Sequence, residues 1–158
     1  VFTLLVRVPI PGTPGGYWNF SDVATYFAAF AFGPWMGLIA GGVGTAIADL
    51  VGGYAQFSLL SFLAHGMQGF LAGLLGRGKG LLGLALAWAA GAVAMVAIYF
   101  LGEGLVLYGG WAPALAEVLP NLGQTIVGGL IGLPLFYAVR RAYPPLERLS
   151  KPVSWEER

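Results

Sequence analysis

Three long stretches of this sequence contain no charged side chain. They run from Leu50 to Gly76, from Gly80 to Gly102 and from Val118 to Val139. A helix of about twenty apolar residues is long enough to cross the hydrocarbon core of a bilayer. The stretches are continuously apolar and lack the alternation of a barrel strand, so they favour helices over strands. The sequence therefore predicts an all-α integral membrane protein.

The composition of the 158 residues agrees with this prediction. Hydrophobic residues make up 58% of the chain and charged residues 9%, and the mean hydropathy is +0.77. Soluble domains carry about 25% charged residues, so a soluble core, an acidic scaffold and a nucleic-acid-binding protein are all disfavoured. The chain contains no cysteine, which excludes disulfides and thiolate metal sites.

Turn-forming residues and charges divide the chain into six predicted helices. The first ends near Arg7, and because Val1 already lies in the apolar run VFTLLV, we expect the start of this helix to be missing. The second is short for a span, so it should be tilted, kinked or shielded by its neighbours. The helices after the first are expected at about 21–32, 35–51, 58–76, 81–102 and 112–143.

Basic residues are concentrated at two places in the chain. Arg77 and Lys79 lie in one loop, and short basic loops remain in the cytoplasm. We therefore expect a multi-pass protein of the cell membrane, with a single transmembrane domain over 1–158 and a short cytoplasmic tail over 144–158. The external end would carry polar loops around 8–22, 52–57 and 103–108. The other basic residues, at or after the end of the last helix, are Arg140, Arg141, Arg148, Lys151 and Arg158.

Polar side chains recur within the predicted spans. Thr45 and Asp49 share one helix face, and His65 and Gln68 share a face of the next helix. Intramembrane acids usually face the bundle interior or a watery cavity, so Asp49 is a candidate site residue; a structural hydrogen bond near the helix end is the alternative. His65 is the sole histidine and no HExxH motif is present, which argues against a metal site. It either binds a polar ligand or is a satisfied core histidine.

The last predicted helix carries a polar stripe. Glu117, Asn121, Gln124 and Gly128 lie at offsets of four, seven and eleven residues, which places them on one helix face. Pro120 frees a backbone carbonyl beside this stripe. The stripe predicts either contact with a polar ligand or interhelical hydrogen bonds that hold the bundle together.

Aromatic residues cluster at the predicted external ends. They suit either an interfacial belt or stacking on a flat heterocycle. The sequence has no GxSxG motif, no P-loop and no paired-aspartate GxGD motif, so if the chain transports a solute actively, the energy must come from an ion gradient or a partner. The aromatic residues are Tyr17, Trp18, Tyr54, Phe57, Tyr99, Tyr108 and Trp111.

Three segments, PIPGTPGGYWNFSD, FGPWMGLIAGGVGTAIADLVGGY and HGMQGFLAG, together resemble the S components of energy-coupling factor (ECF) transporters. The resemblance implies a six-transmembrane-helix bundle, truncated here in its first helix, whose external substrate pocket is capped by loops. It also implies a transmembrane coupling protein and two cytosolic ATPases as partners that drive inward release of a vitamin. The docking motif AxxxA that the family commonly carries in its first helix is expected before Val1.

The resemblance further implies substrate contacts from the external loops and from the third to sixth helices. In the first loop, Trp18 and Asn19 are expected to point into the pocket, while Asp22 is expected to cap the second helix. Together with Glu117 from the polar stripe, the expected site residues are Trp18, Asn19, Asp49, Tyr54, His65, Gln68, Asn121 and Gln124.

The favoured interpretation is a substrate-capture subunit of an ECF-type importer that binds a small water-soluble vitamin or precursor without a cofactor. A compact heteroaromatic such as hydroxymethylpyrimidine, thiamine or pyridoxine suits the rings, acids and amides best, with riboflavin and queuosine precursors as further options. Catalysis is not expected. The alternatives are a standalone gradient-driven transporter or channel with Asp49 or Glu117 as a proton carrier, and a membrane enzyme that uses His65 and Asp49.

Overall fold

The computed structural model describes residues 2–13 and 15–146, which are mostly helical. A short 3₁₀ turn at Ala55–Phe57 precedes the fourth helix, and a π-helical turn at Glu103–Leu107 extends the fifth. The α-helices within the described residues are α1 (Phe2–Leu5), α2 (Ser21–Phe32), α3 (Pro34–Gly52), α4 (Ser58–Gly76), α5 (Leu81–Gly102) and α6 (Trp111–Ala142).

Four of these helices are long and apolar enough to cross a membrane. With their flanking turns they cover Pro34–Gly52, Ala55–Gly76, Leu81–Leu107 and Trp111–Ala142. Helix α1 has four residues and α2 has twelve, fewer than the roughly twenty that a span requires. The described residues thus contain four candidate spans, and the six-span bundle stays a prediction.

Helix α2 is shielded by its neighbours, as its short length led us to expect. Nine of its twelve residues are buried, and it packs against α3, α4 and α6. Its first backbone N–H, from Ser21, donates to Oδ1 of Asn19 at 2.7 Å. At its other end Gly33 has a φ of 92°, a conformation that favours glycine, and Pro34 opens α3. The helix therefore sits inside the bundle, where its side chains can reach three other helices.

Helices α3 and α4 pack closely along a row of glycines. A methyl group added to Gly37 would collide with the backbone of Gly69, and one added to Gly41 would collide with the carbonyl of His65. Such small residues let helix backbones approach in a membrane. The close approach brings the hydroxyl of Thr45 to within 3.2 Å of the Ser61 carbonyl.

Three loops meet at one end of the bundle. The first, residues 8–20, which we call the capping loop, contains the short antiparallel strands β1 (Val8–Pro9) and β2 (Tyr17–Trp18). The ring of Phe57, in the second loop, lies 6.1 Å from the ring of Tyr108, in the third. These loops close the end of the bundle above the polar residues of α3, α4 and α6.

Candidate functional site

A small polar cavity lies beneath the capping loop. It encloses about 30 Å³, which is room for about two water molecules. A larger ligand can enter only if side chains or the loop move outward. The residues that line the cavity are Thr3, Gly15, Gly16, Tyr17, Asn19, Thr45, Asp49, Phe57, Ser61, His65, Tyr99, Glu117, Asn121 and Gln124.

Asp49 forms one acidic wall of the cavity. Its side chain is buried, and its Oδ1 accepts a hydrogen bond of 2.5 Å from the hydroxyl of Tyr17. Its Oδ2 is buried without a hydrogen-bond partner among the described residues. The hydroxyls of Ser61 and Tyr99, which also line the cavity, are bonded to each other at 2.8 Å. Asp49 therefore has one oxygen engaged by the capping loop, and its other oxygen makes no hydrogen bond among the described residues, although the Ser61 hydroxyl lies near the carboxylate.

Tyr17 is held as a neutral hydrogen-bond donor. Burial raises the pKa of its hydroxyl, and the hydrogen bond to Asp49 raises that pKa further. Its ring lies 4.7 Å from the ring of Tyr54, and the guanidinium of Arg7 lies 5.8 Å from both ring centres. Arg7 also donates to the Gly52 carbonyl at 3.2 Å. This aromatic and cationic cluster fixes the capping loop to the end of α3.

Glu117 forms the second acidic wall. Its Oε1 accepts a 2.7 Å hydrogen bond from the hydroxyl of Tyr108. Burial raises the pKa of Tyr108, and the bond to Glu117 raises it further, so Tyr108 also remains a donor. Gly16 of the capping loop approaches Glu117 so closely that an added methyl group would collide with the carboxylate. Glu103 is fully buried next to Glu117, and a hydrogen bond between the two carboxyl groups requires that one of them carry a proton.

The inner end of the site is a hydrogen-bonded network between α2, α4 and α6. Nδ1 of His65 lies 2.9 Å from Oδ1 of Asp22 and 2.9 Å from Oε1 of Gln68. The amide nitrogen of Gln68 donates to Oδ2 of Asp22 at 2.8 Å. The backbone N–H of Asn19 donates to Oε1 of Gln124 at 2.9 Å, which ties the capping loop to α6.

Comparison with known proteins decides what kind of molecule carries this site. A family model described as the ECF-type riboflavin transporter, S component, matches residues 1–141. The chain belongs to this family. The match confirms the family that the sequence segments resemble, which is a family of membrane transport proteins.

Two relatives of this S component are each 36% identical to it. One, from Lactococcus lactis subsp. cremoris, is named as the thiamine precursor transporter HmpT; the match covers 87% of this chain and 78% of the relative. The other is an uncharacterized protein from Pyrococcus woesei, matched over 92% of this chain and 97% of the relative. Both matches cover most of each chain, so the similarity extends over the whole bundle.

Most of the site residues expected from the sequence of this S component line the cavity. Residues from the capping loop, α3, α4 and α6 converge there, and the glycine row brings α3 against α4. The expected residues that line the cavity are Asn19, Asp49, His65, Glu117, Asn121 and Gln124.

Three expected residues lie outside the cavity lining. Adjacent residues of a strand point to opposite faces, so Tyr17 faces the cavity while the ring of Trp18 packs 4.8 Å from the ring of Phe20. Tyr54 stacks behind Tyr17. Gln68 is fully buried beside His65, where its amide bonds other residues of the protein. Tyr17 thus lines the cavity where Trp18 was expected, and contact of Trp18 with a substrate stays a prediction.

Other residues of the site were not selected from the sequence. Asp22 makes no side-chain cap on α2, and its carboxylate instead reaches His65 and Gln68 on α4. Ser61 lies four residues before His65, so the helical period of α4 could have identified it. Tyr99 belongs to the aromatic residues at the predicted external ends, but its bond to Ser61 depends on how α5 packs against α4.

Proposed function

We propose that this S component captures a small, single-ring heteroaromatic vitamin or vitamin precursor at the external face of the cell membrane. The substrate is neutral or cationic and carries no phosphate. The observation that carries this proposal is the unpartnered, buried Oδ2 of Asp49 in a cavity whose second wall is also acidic. A buried carboxylate oxygen is stabilised by a hydrogen-bond donor, which an amino or hydroxymethyl group supplies.

The charge of the cavity favours this class of ligand over anionic vitamins. Asp49 and Glu117 are among the lining residues, and the described residues that line the cavity include no lysine or arginine. A phosphate or carboxylate group would be placed beside two acids without the lysine or arginine that such groups usually pair with, which is unfavourable in a buried site. The rings of Tyr17, Phe57 and Tyr99 supply the flat surfaces on which a heterocycle stacks.

We favour hydroxymethylpyrimidine over riboflavin as the substrate. The cavity encloses about 30 Å³, and a single ring requires less outward movement of the capping loop than a three-ring system. The relative from Lactococcus lactis is named as a thiamine precursor transporter, which supports the same choice. Thiamine and pyridoxine carry similar polar groups and are the next candidates.

Transport itself requires partners. We propose that the S component works with a transmembrane coupling protein and two cytosolic ATPases, which release the vitamin inward. In this arrangement residues 1–158 form one six-span transmembrane domain, the capping loop is external, and residues 144–158 form a cytoplasmic tail. The family match supports a transport role with such modules in general.

Native mass spectrometry of the purified protein with hydroxymethylpyrimidine, thiamine, pyridoxine and riboflavin tests the proposal. We expect one hydroxymethylpyrimidine bound per chain, and no uptake into vesicles that contain this chain alone.

A second candidate, proton-driven transport by the isolated protein, is favoured by buried Glu103 beside Glu117. Uptake by the chain alone in response to a pH gradient would support that candidate and contradict the proposed dependence on partners.

A further inference from the structure

We propose that Asp22 is a positioning residue that keeps His65 as an imidazolium ion, with its Nε2–H group donating to the substrate. The inference rests on the proposed function, since it assigns a role to Asp22 in the same cavity. It adds a residue that does not line the cavity, and it specifies a hydrogen-bond acceptor on the ligand.

The hydrogen bonds around His65 determine which ring nitrogen carries a proton. The amide nitrogen of Gln68 lies within hydrogen-bond distance of Oδ2 of Asp22, at 2.8 Å, and of the hydroxyl of Tyr26, at 2.9 Å. These acceptors fix the orientation of the amide, so its oxygen faces His65. Nδ1 of His65 therefore lies between two acceptor oxygens, from Asp22 and Gln68, each at 2.9 Å. A nitrogen in that position must be protonated.

The burial of Asp22 determines the charge of the ring. The Asp22 side chain is fully buried, and the polar groups around it, from Gln68, Ser21 and Gln124, can donate hydrogen bonds to an ionised carboxylate. A buried charge is stable only when it is paired. Among the described residues that contact Asp22, His65 is the one that can carry a positive charge.

The other groups that face His65 favour the same charge state. Asp49, on α3, is a second acidic group in the surroundings of His65. From α5, the neutral ring of Tyr99 lies edge-on at 5.6 Å. The network residues on α6, Gln124 and Thr125, are uncharged. The imidazolium is therefore surrounded by acids and neutral groups.

The charge state of His65 defines what the substrate must present. Because Nδ1 is engaged by Asp22, Nε2 is the ring nitrogen left for the cavity that His65 lines. It donates a hydrogen bond, whereas Oδ2 of Asp49 accepts one. The ligand must then combine an acceptor with a donor, as the ring nitrogen and the amino group of an aminopyrimidine do.

Nitrogen NMR of the histidine tests the charge state without any ligand. The chain has one histidine, so protein labelled with ¹⁵N-histidine in lipid nanodiscs gives signals from a single imidazole. We expect both ring nitrogens to be protonated at neutral pH in the unliganded wild-type protein. A neutral ring, with either nitrogen unprotonated, would overturn the proposal. This result requires no variant, so it holds even if substitutions at Asp22 prevent folding.

The variant Asp22→Asn tests the role of Asp22 itself. We expect its imidazole to become neutral and its affinity for hydroxymethylpyrimidine to fall roughly tenfold or more, the effect of losing a hydrogen bond from a charged group. Asp22→Glu should keep the ring charged, and Ser58→Ala, which removes a hydroxyl bonded to the Ala46 carbonyl outside the cavity, should match the wild type. An unchanged imidazole spectrum in Asp22→Asn would overturn the role of Asp22. If no vitamin binds but wild-type His65 is doubly protonated, the proposed function fails while the charge assignment stands.

Discussion

At the scale of single residues, the cavity is organised by hydrogen bonds that connect the capping loop to buried acids. The Tyr17 hydroxyl bonds Asp49, Gly16 packs on Glu117, and the Asn19 backbone bonds Gln124. Each contact joins the loop to a different part of the wall. Entry of a ligand and retention of the loop therefore depend on the same side chains.

Tyr17→Phe tests the connection between the capping loop and α3. Removal of the hydroxyl breaks the loop's hydrogen bond to Asp49, and hydrogen bonds to charged groups contribute about 1.5–3 kcal/mol. We expect a vitamin bound in the cavity to dissociate roughly tenfold faster or more, measured by stopped-flow fluorescence. Tyr54→Phe is the matched control, because it removes the hydroxyl of the neighbouring ring and keeps the ring contact. Equal dissociation rates in the two variants would contradict this role of Tyr17.

Helical period selected residues that line the cavity, whereas the orientation of the residues in the capping loop could not be predicted from the sequence. Asp49, His65 and Glu117 could be selected because polar residues within apolar spans face the interior. The pairing of β1 with β2 decides whether Tyr17 or Trp18 faces the cavity. Strands of two residues are too short for this pairing to be predicted from the sequence.

At the scale of elements, the glycine row between α3 and α4 sets the position of the site. Gly37 and Gly69 are in backbone contact, and α3 contains a π-helical stretch at Ile39–Val43 next to this contact. The close approach aligns Asp49 with the cavity-lining face of α4. Widening the gap between these helices would separate Asp49 from His65.

Gly37→Ala tests the importance of this packing. The added methyl group meets the backbone of Gly69, which cannot rotate away as a side chain would. Overpacking of this kind costs about 1–3 kcal/mol, so we expect a lower Tm in a thermal unfolding assay in detergent. Gly44→Ala in the same helix is the control, because its methyl group would meet no atom within 4 Å. A Tm for Gly37→Ala equal to that of Gly44→Ala would contradict close packing at this contact.

Helix boundaries were predictable because proline, glycine and charge mark them, whereas local changes of helix type were not. Helices α2 and α4 have the predicted bounds, while the loop expected around residue 103 begins as the π-helical turn Glu103–Leu107. This turn depends on tertiary packing, since Gly104 lies against the ring of Trp111. The helical periodicity of the sequence does not predict the contact between Gly104 and Trp111.

At the scale of the whole molecule, the two ends of the bundle differ in chemistry. One end carries the capping loop and the acidic cavity, and the other carries Lys79 and Arg140 around a second, wider cavity. Basic loops remain in the cytoplasm. This asymmetry predicts that the capping loop is external.

Cysteine labelling tests this orientation cleanly, because the chain has no cysteine of its own. Gln56 and Lys79 are both exposed and lie in loops at opposite ends of α4. In intact cells, a membrane-impermeant maleimide should label Gln56→Cys, and it should label Lys79→Cys only after the membrane is permeabilised. The reverse pattern would place the cavity at the cytoplasmic face and contradict external capture.

The most direct test of the central claim is isothermal titration of the purified protein with hydroxymethylpyrimidine. We predict binding to the wild type at one site, and an affinity at least roughly tenfold lower for Asp49→Asn, because the carboxylate acceptor is lost. Ser58→Ala, which alters a hydrogen bond outside the cavity, should bind as the wild type does. Failure of the wild type to bind hydroxymethylpyrimidine, or equal affinity in Asp49→Asn, would contradict the assignment of this cavity as the vitamin site.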